Sequence, residues 1–284
     1  MRLLRYEQAG TLHLGVLDGD AITPLEGLAG AYPTMRSIAA GGPDALERVG
    51  RFVSATRART PLADVRLLAP MERPGKYLAI GMNYRKHAAE AAKLGIAIPE
   101  KQLWFNKQTT CVSGPHDDII RGVTEKLDYE VELGVAIGQP AKGVSEADAP
   151  AHVFGYFVAN DVSARDWQFH SNTFTMGKSF DTHGPVGPWI VTADEIPDPH
   201  ALTVRTWVNG ELRQHSHTSE LIFNVWQQIA YLSTAFTLEP GDFLATGTPE
   251  GVGVGMTPPR FLQPGDVVRC EVERIGVIEN RVRA

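Results

Sequence analysis

Short apolar runs of strand length, punctuated by Gly, Pro, Asn and Asp, dominate the hydrophobic pattern of this chain. The pattern predicts strands at residues 1–6 and 12–17, with a turn at Asp18-Gly19-Asp20 leading into 21–24. Further strands are predicted at 76–81, 103–107, 128–137, 153–160, 186–191, 202–208 and 267–272. Asn209-Gly210 between two such runs is a strong hairpin signal. Helical periodicity is rarer. Residues 83–93 predict a helix ending near Gly95. Residues 219–236 predict an amphipathic one, with Leu221, Ile222, Val225, Trp226, Ile229, Leu232 and Phe236 along one stripe. Pro240-Gly241-Asp242 and Pro264-Gly265-Asp266 each precede an apolar strand. Strands outnumber helices and do not alternate with them, which predicts a mixed α+β, mostly-β fold and argues against a doubly wound sheet.

Two prolines and a glycine at 69–75 mark a boundary. Residues 1–70 are expected to form a small N-terminal domain and 71–284 the catalytic domain. Composition adds exclusions. Hydrophobic residues make up 43% and charged residues 21%, ordinary values for a globular chain, and the net charge is −6. That charge, with no Lys/Arg-rich block, argues against a nucleic-acid partner. No apolar run approaches the ~18 residues of a membrane span, so no membrane partner is expected. The opening Met1-Arg2-Leu3-Leu4-Arg5-Tyr6 lacks the apolar core of a secretory signal, and a cytoplasmic protein is expected. Cys111 and Cys270 are far apart and suggest neither a disulfide framework nor a zinc site.

The sharpest chemical signal is Asp128-Tyr129-Glu130-Val131-Glu132-Leu133-Gly134-Val135-Ala136-Ile137. Strand alternation puts Glu130 and Glu132 on one face of a run that otherwise reads as interior. Two adjacent ionised carboxylates repel and each is costly to bury, so a cation between them is expected. An all-oxygen set suits Mg²⁺, Mn²⁺ or Ca²⁺ rather than Zn²⁺. The acidic cluster Asn160-Asp161-Val162-Ser163-Ala164-Arg165-Asp166 can supply a third oxygen ligand. The rival interpretation of Glu-x-Glu is a solvated acidic edge, which the flanking Val131, Leu133, Val135 and Ile137 weaken.

Five motifs then follow in order: Asp128 to Leu133, Asn160 to Gln168, Gly177-Lys178-Ser179-Phe180-Asp181, Gly184-Pro185-Val186-Gly187-Pro188, and Thr246-Gly247-Thr248-Pro249-Glu250-Gly251-Val252-Gly253. Together they resemble the fumarylacetoacetate hydrolase family, most closely its small members and bacterial acylpyruvate or diketo-acid hydrolases. The resemblance covers about residues 70–280. It implies a β-roll catalytic domain, a homodimer, and Mg²⁺ or Mn²⁺ held by Glu130, Glu132 and Asp161.

The other roles can be argued from chemistry. A 2-oxo acid can chelate the cation, and water attack on a second carbonyl two carbons further on would expel an enolate that the metal stabilises. His87 and Glu90, three apart on the predicted helix, share a face, so Glu90 can orient His87 as the base for that water; the family implies a dyad of this spacing on a segment that orders over the substrate. Lys178 is expected as a fixed positive charge beside the substrate, with Asp181 near enough to be its partner. Gly177-Lys178-Ser179 is no nucleotide loop, because Asn172 stands where the upstream glycine would be. Arg165 and Gln168 are expected to bind substrate oxygens, Arg165 through paired hydrogen bonds to a carboxylate. The Thr248 hydroxyl and the backbone N–H groups of its loop are expected to face the substrate, unless the glycines serve only positive φ angles. Asp128 and Asp166 are expected to cap or support, and His170, His183, His200, His215 and His217 to be non-catalytic.

Two departures from the family pattern concern the substrate. Residues 169–176 lack the Trp that many relatives carry before Gly-Lys, and the segment 94–99 after Glu90 is apolar, which leaves the shape of any lid open. The expected function is a divalent-metal-dependent hydrolase that cleaves a C–C bond in a 2,4-dioxo acid (acylpyruvate, fumarylpyruvate-like or diketo-deoxy sugar acid) to pyruvate plus a carboxylic acid. The alternative on the same site is a 2-oxo acid (oxaloacetate) decarboxylase or keto–enol tautomerase. A third possibility, of another class, is a non-catalytic metal-stabilised scaffold.

Overall fold

The computed structural model describes residues 1–93, 95 and 100–284. The part of segment 94–99 that bears on a lid, apart from Gly95, lies outside the described residues. Among those described, twelve strands form one mixed sheet. Its main path runs Thr60–Pro61, Ala21–Pro24, Thr11–Asp18, Arg2–Gln8, Gly184–Thr192, Val153–Asn160, Val131–Ile137, Phe243–Ala245, Tyr77–Gly81 and Leu103–Lys107. A five-stranded sheet follows the order Glu211–His217, Thr203–Val208, Val267–Val272, Gly276–Arg283, Ile119–Ile120. The mostly-β, mixed architecture is the one the hydrophobic pattern predicts. Residues 1–70 join the large sheet directly: Arg2 pairs with Val191 and Leu3 with Ile190. Their helices Met35–Ala40 and Gly42–Ala55 place Met35, Ile38 and Val49 in one core cluster with Phe154, Phe157 and Phe243.

All seven residues of Val131–Ile137 are buried, because the strand is sandwiched between two layers. Val131, Leu133, Val135 and Ile137 share a cluster with Val204, Val268 and Ile278 of the five-stranded sheet. The other face carries Glu132, Gly134 and Ala136. Gly134 lies opposite Phe157, and a Cβ there would fall 2.3 Å from the Phe157 ring. The missing side chain lets Phe157 lie across the sheet and meet Phe243 at 4.5 Å between ring centres.

Three differences from the predicted elements have identifiable causes. The run 128–137 breaks in two: Leu127–Asp128 pairs with Ser163–Ala164, and the long strand restarts at Val131. Side-chain amides take over the ladder there, as Glu130 N–H donates to Asn160 Oδ1 and Val131 N–H to Gln214 Oε1, both at 3.0 Å. The amphipathic helix is Val225–Ala235, shorter than the predicted 219–236. Asn224 and Gln227 form a reciprocal capping box that fixes its start, and Thr218–Glu220 is a separate 3-10 turn. Gly276–Arg283 is a strand that polar residues conceal in the sequence; its buried Asn280 donates to the carbonyls of Gly114 and Asp117. The Asn209-Gly210 hairpin is as predicted, with φ of 51° and 80°. Both Pro-Gly-Asp turns close the same way, with Asp242 accepting from Glu239 N–H and Asp266 from Gln263 N–H.

His183 ties the turn before Gly184–Thr192 to the five-stranded sheet through Nε2 and the Ile120 carbonyl at 2.9 Å. It is fully buried, and its Nδ1 has no hydrogen-bond partner. Burial therefore pushes its pKa down to about 4, from 6.5. The folded protein keeps the ring neutral to near that value, whereas the unfolded chain takes up a proton near 6.5. Stability from this site is complete above about 6.5 and falls as pH drops towards 4, by about 2 kcal/mol at pH 5. Urea unfolding at pH 7.5 and 5 measures the loss, and His183→Gln is expected to show less of it.

Candidate active site

The acidic triad is assembled by strand register. Val131 lies opposite Asn160 and Glu132 opposite Ala159. One step further along, the Asp161 N–H donates to the Glu130 carbonyl at 2.9 Å. Glu130, Glu132 and Asp161 are thus gathered at the ends of two adjacent antiparallel strands, each at most 5% exposed. One carboxylate oxygen from each lies within 4.8 Å of the other two.

Three cations surround this charge. Lys178 Nζ donates to Glu130 Oε2 and Asp161 Oδ2, both at 2.8 Å. Lys107 Nζ donates to Asp161 Oδ1 and to the Lys178 carbonyl, each at 2.5 Å. Arg165 lies with Nη2 2.7 Å from Glu130 Oε1 and Nε 2.9 Å from Asp128 Oδ2. Glu132 has a weaker cage: the Gly247 N–H reaches its Oε2 at 2.6 Å, and no lysine or arginine forms an ion pair with it among the described residues.

Protonation follows from that imbalance. Burial drives the Glu132 pKa well above the carboxylate range, and the charges of Asp161 and Glu130 add to it. Burial would raise Glu130 too, but Lys178 and Arg165 overcome it and hold its carboxyl far below the usual value. Burial lowers the Lys178 ammonium, yet Asp161 and Glu130 outweigh it and keep the pKa raised. Four carboxylates (Asp128, Glu130, Glu132, Asp161) face three cations (Lys107, Lys178, Arg165), one positive charge short. With all four ionised, this all-oxygen donor set is uncompensated at Glu132, which fits a divalent cation.

A cavity of about 320 Å³ opens beside the triad. His87, Glu90, Lys178, Arg165, Gln168 and Thr248 all line it, as does Glu130, while Glu132 and Asp161 lie behind its wall. His87 and Glu90 sit on the helix Arg85–Lys93, with Nδ1 3.1 Å from Glu90 Oε2. Glu90 also accepts from the Gly251 N–H at 3.4 Å. Gly255 packs against this carboxylate, where a Cβ would lie 2.3 Å from the carboxyl carbon.

The segment 246–255 is held by buried polar groups. Asn83 donates to the Thr246 carbonyl, Gln214 donates to Thr248 Oγ1 and the Pro249 carbonyl, and Asp128 accepts from the N–H groups of Gly253 and Val254. Gly247 has φ +107°, and a Cβ would lie 2.7 Å from that of Asn83, so only glycine brings this N–H to Glu132.

The expected site residues therefore converge on one cavity, with two differences of detail. The partners of Lys178 are Glu130 and Asp161; Asp181 forms no ion pair with it. The Arg165 fork is already engaged, with Asp128, Glu130 and Gln168 Oε1 as partners, so it braces Glu130 as well as facing the cavity. Asp166 is a local cap for Thr124 and the Glu125 N–H. None of His170, His183, His200, His215 and His217 is among the described residues lining the cavity. Sequence reasoning missed Lys107, Gln214 and Asn83. Lys107 had a signal: alternation in Leu103–Lys107 puts it on the buried face with Phe105, an improbable place for an unpaired lysine. Gln214 and Asn83 had none, since their bonds are long-range.

The model of the fumarylacetoacetate (FAA) hydrolase C-terminal family matches residues 76–283, and that of the Rv2993c-like N-terminal family matches residues 1–70. Oxaloacetate tautomerase FAHD2B, mitochondrial, of Bos taurus is 41% identical over 99% of this chain and 91% of its own length. The structure of a fumarylacetoacetate hydrolase from psychrophilic Exiguobacterium antarcticum is 37% identical, with a TM-score of 0.85 over 100% of this chain and 99% of that one. The maleylpyruvate hydrolase of Sphingobium sp. SYK-6, in complex with manganese(II) and pyruvate, is 33% identical with a TM-score of 0.82 over 100% and 99% of the two chains. With its catalytic region and N-terminal region both matched, the chain belongs to the fumarylacetoacetate hydrolase family of enzymes.

Proposed function

We propose that this protein hydrolyses a C–C bond in a 2,4-dioxo acid, giving pyruvate and a carboxylic acid. The observation that carries this reading is the His87–Glu90 pair facing Glu130 and Lys178 across one cavity. Decarboxylation or tautomerisation needs no water-activating base; hydrolysis does. A divalent cation held by Glu130, Glu132 and Asp161 would act as a Lewis acid on the oxygens of the 2-oxo acid and on the enolate.

The protein's own residues account for the remaining steps. With Nδ1–H donated to Glu90, His87 presents Nε2 to water. Water oxygen attacks the C4 carbonyl while its proton passes to Nε2, and Glu90 stabilises the imidazolium. The C3–C4 bond breaks, its electron pair goes to C3 as an enolate, and His87 returns the proton to C3 to give pyruvate. Lys178 keeps its charge because Asp161 and Glu130 outweigh the cost of burial, and it offers fixed positive potential to the developing negative charge. Arg165 and Gln168, which also line the cavity, orient the substrate carboxylate.

A second reading is tautomerisation or decarboxylation of oxaloacetate. It is favoured by the tautomerase relative, which is similar over nearly the whole chain. It uses the same enolate without the attacking water. The buried free thiols Cys111 and Cys270 suit a reducing setting such as the cytoplasm, and a homodimer belongs to the proposal through the family resemblance.

Assays of the Mg²⁺- and Mn²⁺-loaded enzyme on acetylpyruvate and on oxaloacetate separate the readings. His87→Ala is expected to lower acylpyruvate hydrolysis about 10²–10⁴-fold while lowering oxaloacetate enolisation far less. Equal losses would remove the water-activating role, and an inert wild type on both would favour a scaffold. Lys107 tests the electrostatic frame. Lys107→Met leaves the Asp161 carboxylate short of a buried partner and is expected to destabilise the metal-free protein by about 3–5 kcal/mol. Mn²⁺ should then raise the melting temperature of the variant more than that of the wild type.

A further inference from the structure

The cavity changes character with distance from the triad. The Lys178 ammonium sits 5.1 Å from the centre of the Phe105 ring. Phe105 meets Phe174 edge-on at 5.8 Å, and Phe174 meets Phe169 edge-on at 5.6 Å. This row of rings runs from the buried lysine to the mouth: Phe105 is 5% exposed and Phe169 63%. Leu103, Val254 and Phe261 also line the cavity. A contiguous row of rings reaching the rim of a cavity is the kind of exposed apolar surface that marks a ligand-binding groove.

Charge in the cavity is concentrated at the other end. Arg165 and Lys178 are paired with Asp128, Glu130 and Asp161, and His87 with Glu90. Lys126 is exposed at the mouth and is the one described lining cation without a carboxylate ion pair. It makes a second, distal carboxylate the rival that a test must exclude.

We propose that the Phe105–Phe174–Phe169 wall is an acyl-group subsite, and that the substrate class is a 2-oxo acid whose far end is uncharged and apolar, a longer alkyl or an aryl group. The inference rests on the proposed 2,4-dioxo acid reading for the identity of the scissile bond, though not for the binding preference. It separates this chain from a role on small or doubly charged acids. A charged terminus would leave water for a wall that offers it no hydrogen bond. Each methylene laid against the wall should raise kcat/KM about fourfold, the equivalent of ~0.8 kcal/mol, until the cavity fills.

The test uses the Mn²⁺-loaded full-length protein in two arms. In the first, kcat/KM is measured for acetyl-, butanoyl-, pentanoyl-, benzoyl- and succinylpyruvate. Pentanoylpyruvate is expected to exceed both acetylpyruvate and the terminal carboxylate succinylpyruvate at least tenfold. In the second, calorimetry compares 2-oxohexanoate with 2-oxoadipate, and the apolar acid is expected to bind at least fivefold tighter. Phe169→Arg, an exposed position where the fold should survive, is expected to shift both ratios at least fivefold towards the carboxylate. Turnover that favours succinylpyruvate overturns the inference and leaves the hydrolase reading standing. Absence of any hydrolysis with an intact apolar preference in binding overturns the hydrolase reading and leaves the subsite standing. Equal or tighter binding of 2-oxoadipate overturns the subsite whatever the activity.

Discussion

Glu130, Glu132 and Asp161 converge below the surface, where each carboxylate raises the cost of ionising the others. The surrounding segments are arranged as a response to that cost. Lys178 bridges Glu130 and Asp161, Lys107 reaches the other oxygen of Asp161 from an edge strand of the large sheet, and Arg165 ties Glu130 to Asp128. Glu132, left with a backbone N–H, is where the compensation is incomplete. The same groups that make the cluster tolerable in the fold also define where a cation and an anionic substrate are welcome.

This constraint explains why distant parts of the chain must meet. Asp128 joins the strand region before the triad to the loop at Gly253 and Val254. Gln214, from the five-stranded sheet, accepts from the Val131 N–H on one side and donates to the Thr248 hydroxyl and the Pro249 carbonyl on the other. Asn83, just before the helix Arg85–Lys93, donates to the Thr246 carbonyl at the start of that loop and accepts from the Phe223 N–H. Each is a buried side-chain amide or carboxylate with its hydrogen bonds made, the condition under which a polar network specifies one arrangement. The apolar layers supply the rigidity: Val131–Ile137 is packed on both faces, so the carboxylates at its end have little freedom to move apart.

Much of this was legible in the sequence, for reasons that can be stated. Glu130 and Glu132 stood out because period-2 alternation is local and a charged pair within an apolar run is conspicuous. His87 and Glu90 were legible because helical spacing is local too. Strand pairing across thirty residues was not, which is why Asp161 needed the family resemblance. Lys107 looked like the end of a strand until its register was known. The break at Tyr129–Glu130 was hidden because the groups that replace the ladder, Asn160 and Gln214, are side chains from elsewhere. The row formed by Phe105, Phe174 and Phe169 depended on which faces of the rings turned inward, a tertiary fact.

The central claim is that the three carboxylates form one site for one divalent cation. Its most direct test is the stoichiometry and affinity of Mn²⁺ for the wild type and for Glu132→Gln, measured by electron paramagnetic resonance of free Mn²⁺. The substitution keeps the shape of the side chain and removes the charge that the fold leaves least compensated. The account predicts one bound Mn²⁺ per wild-type chain and an affinity lowered at least tenfold in the variant. Undiminished Mn²⁺ binding by Glu132→Gln would contradict it.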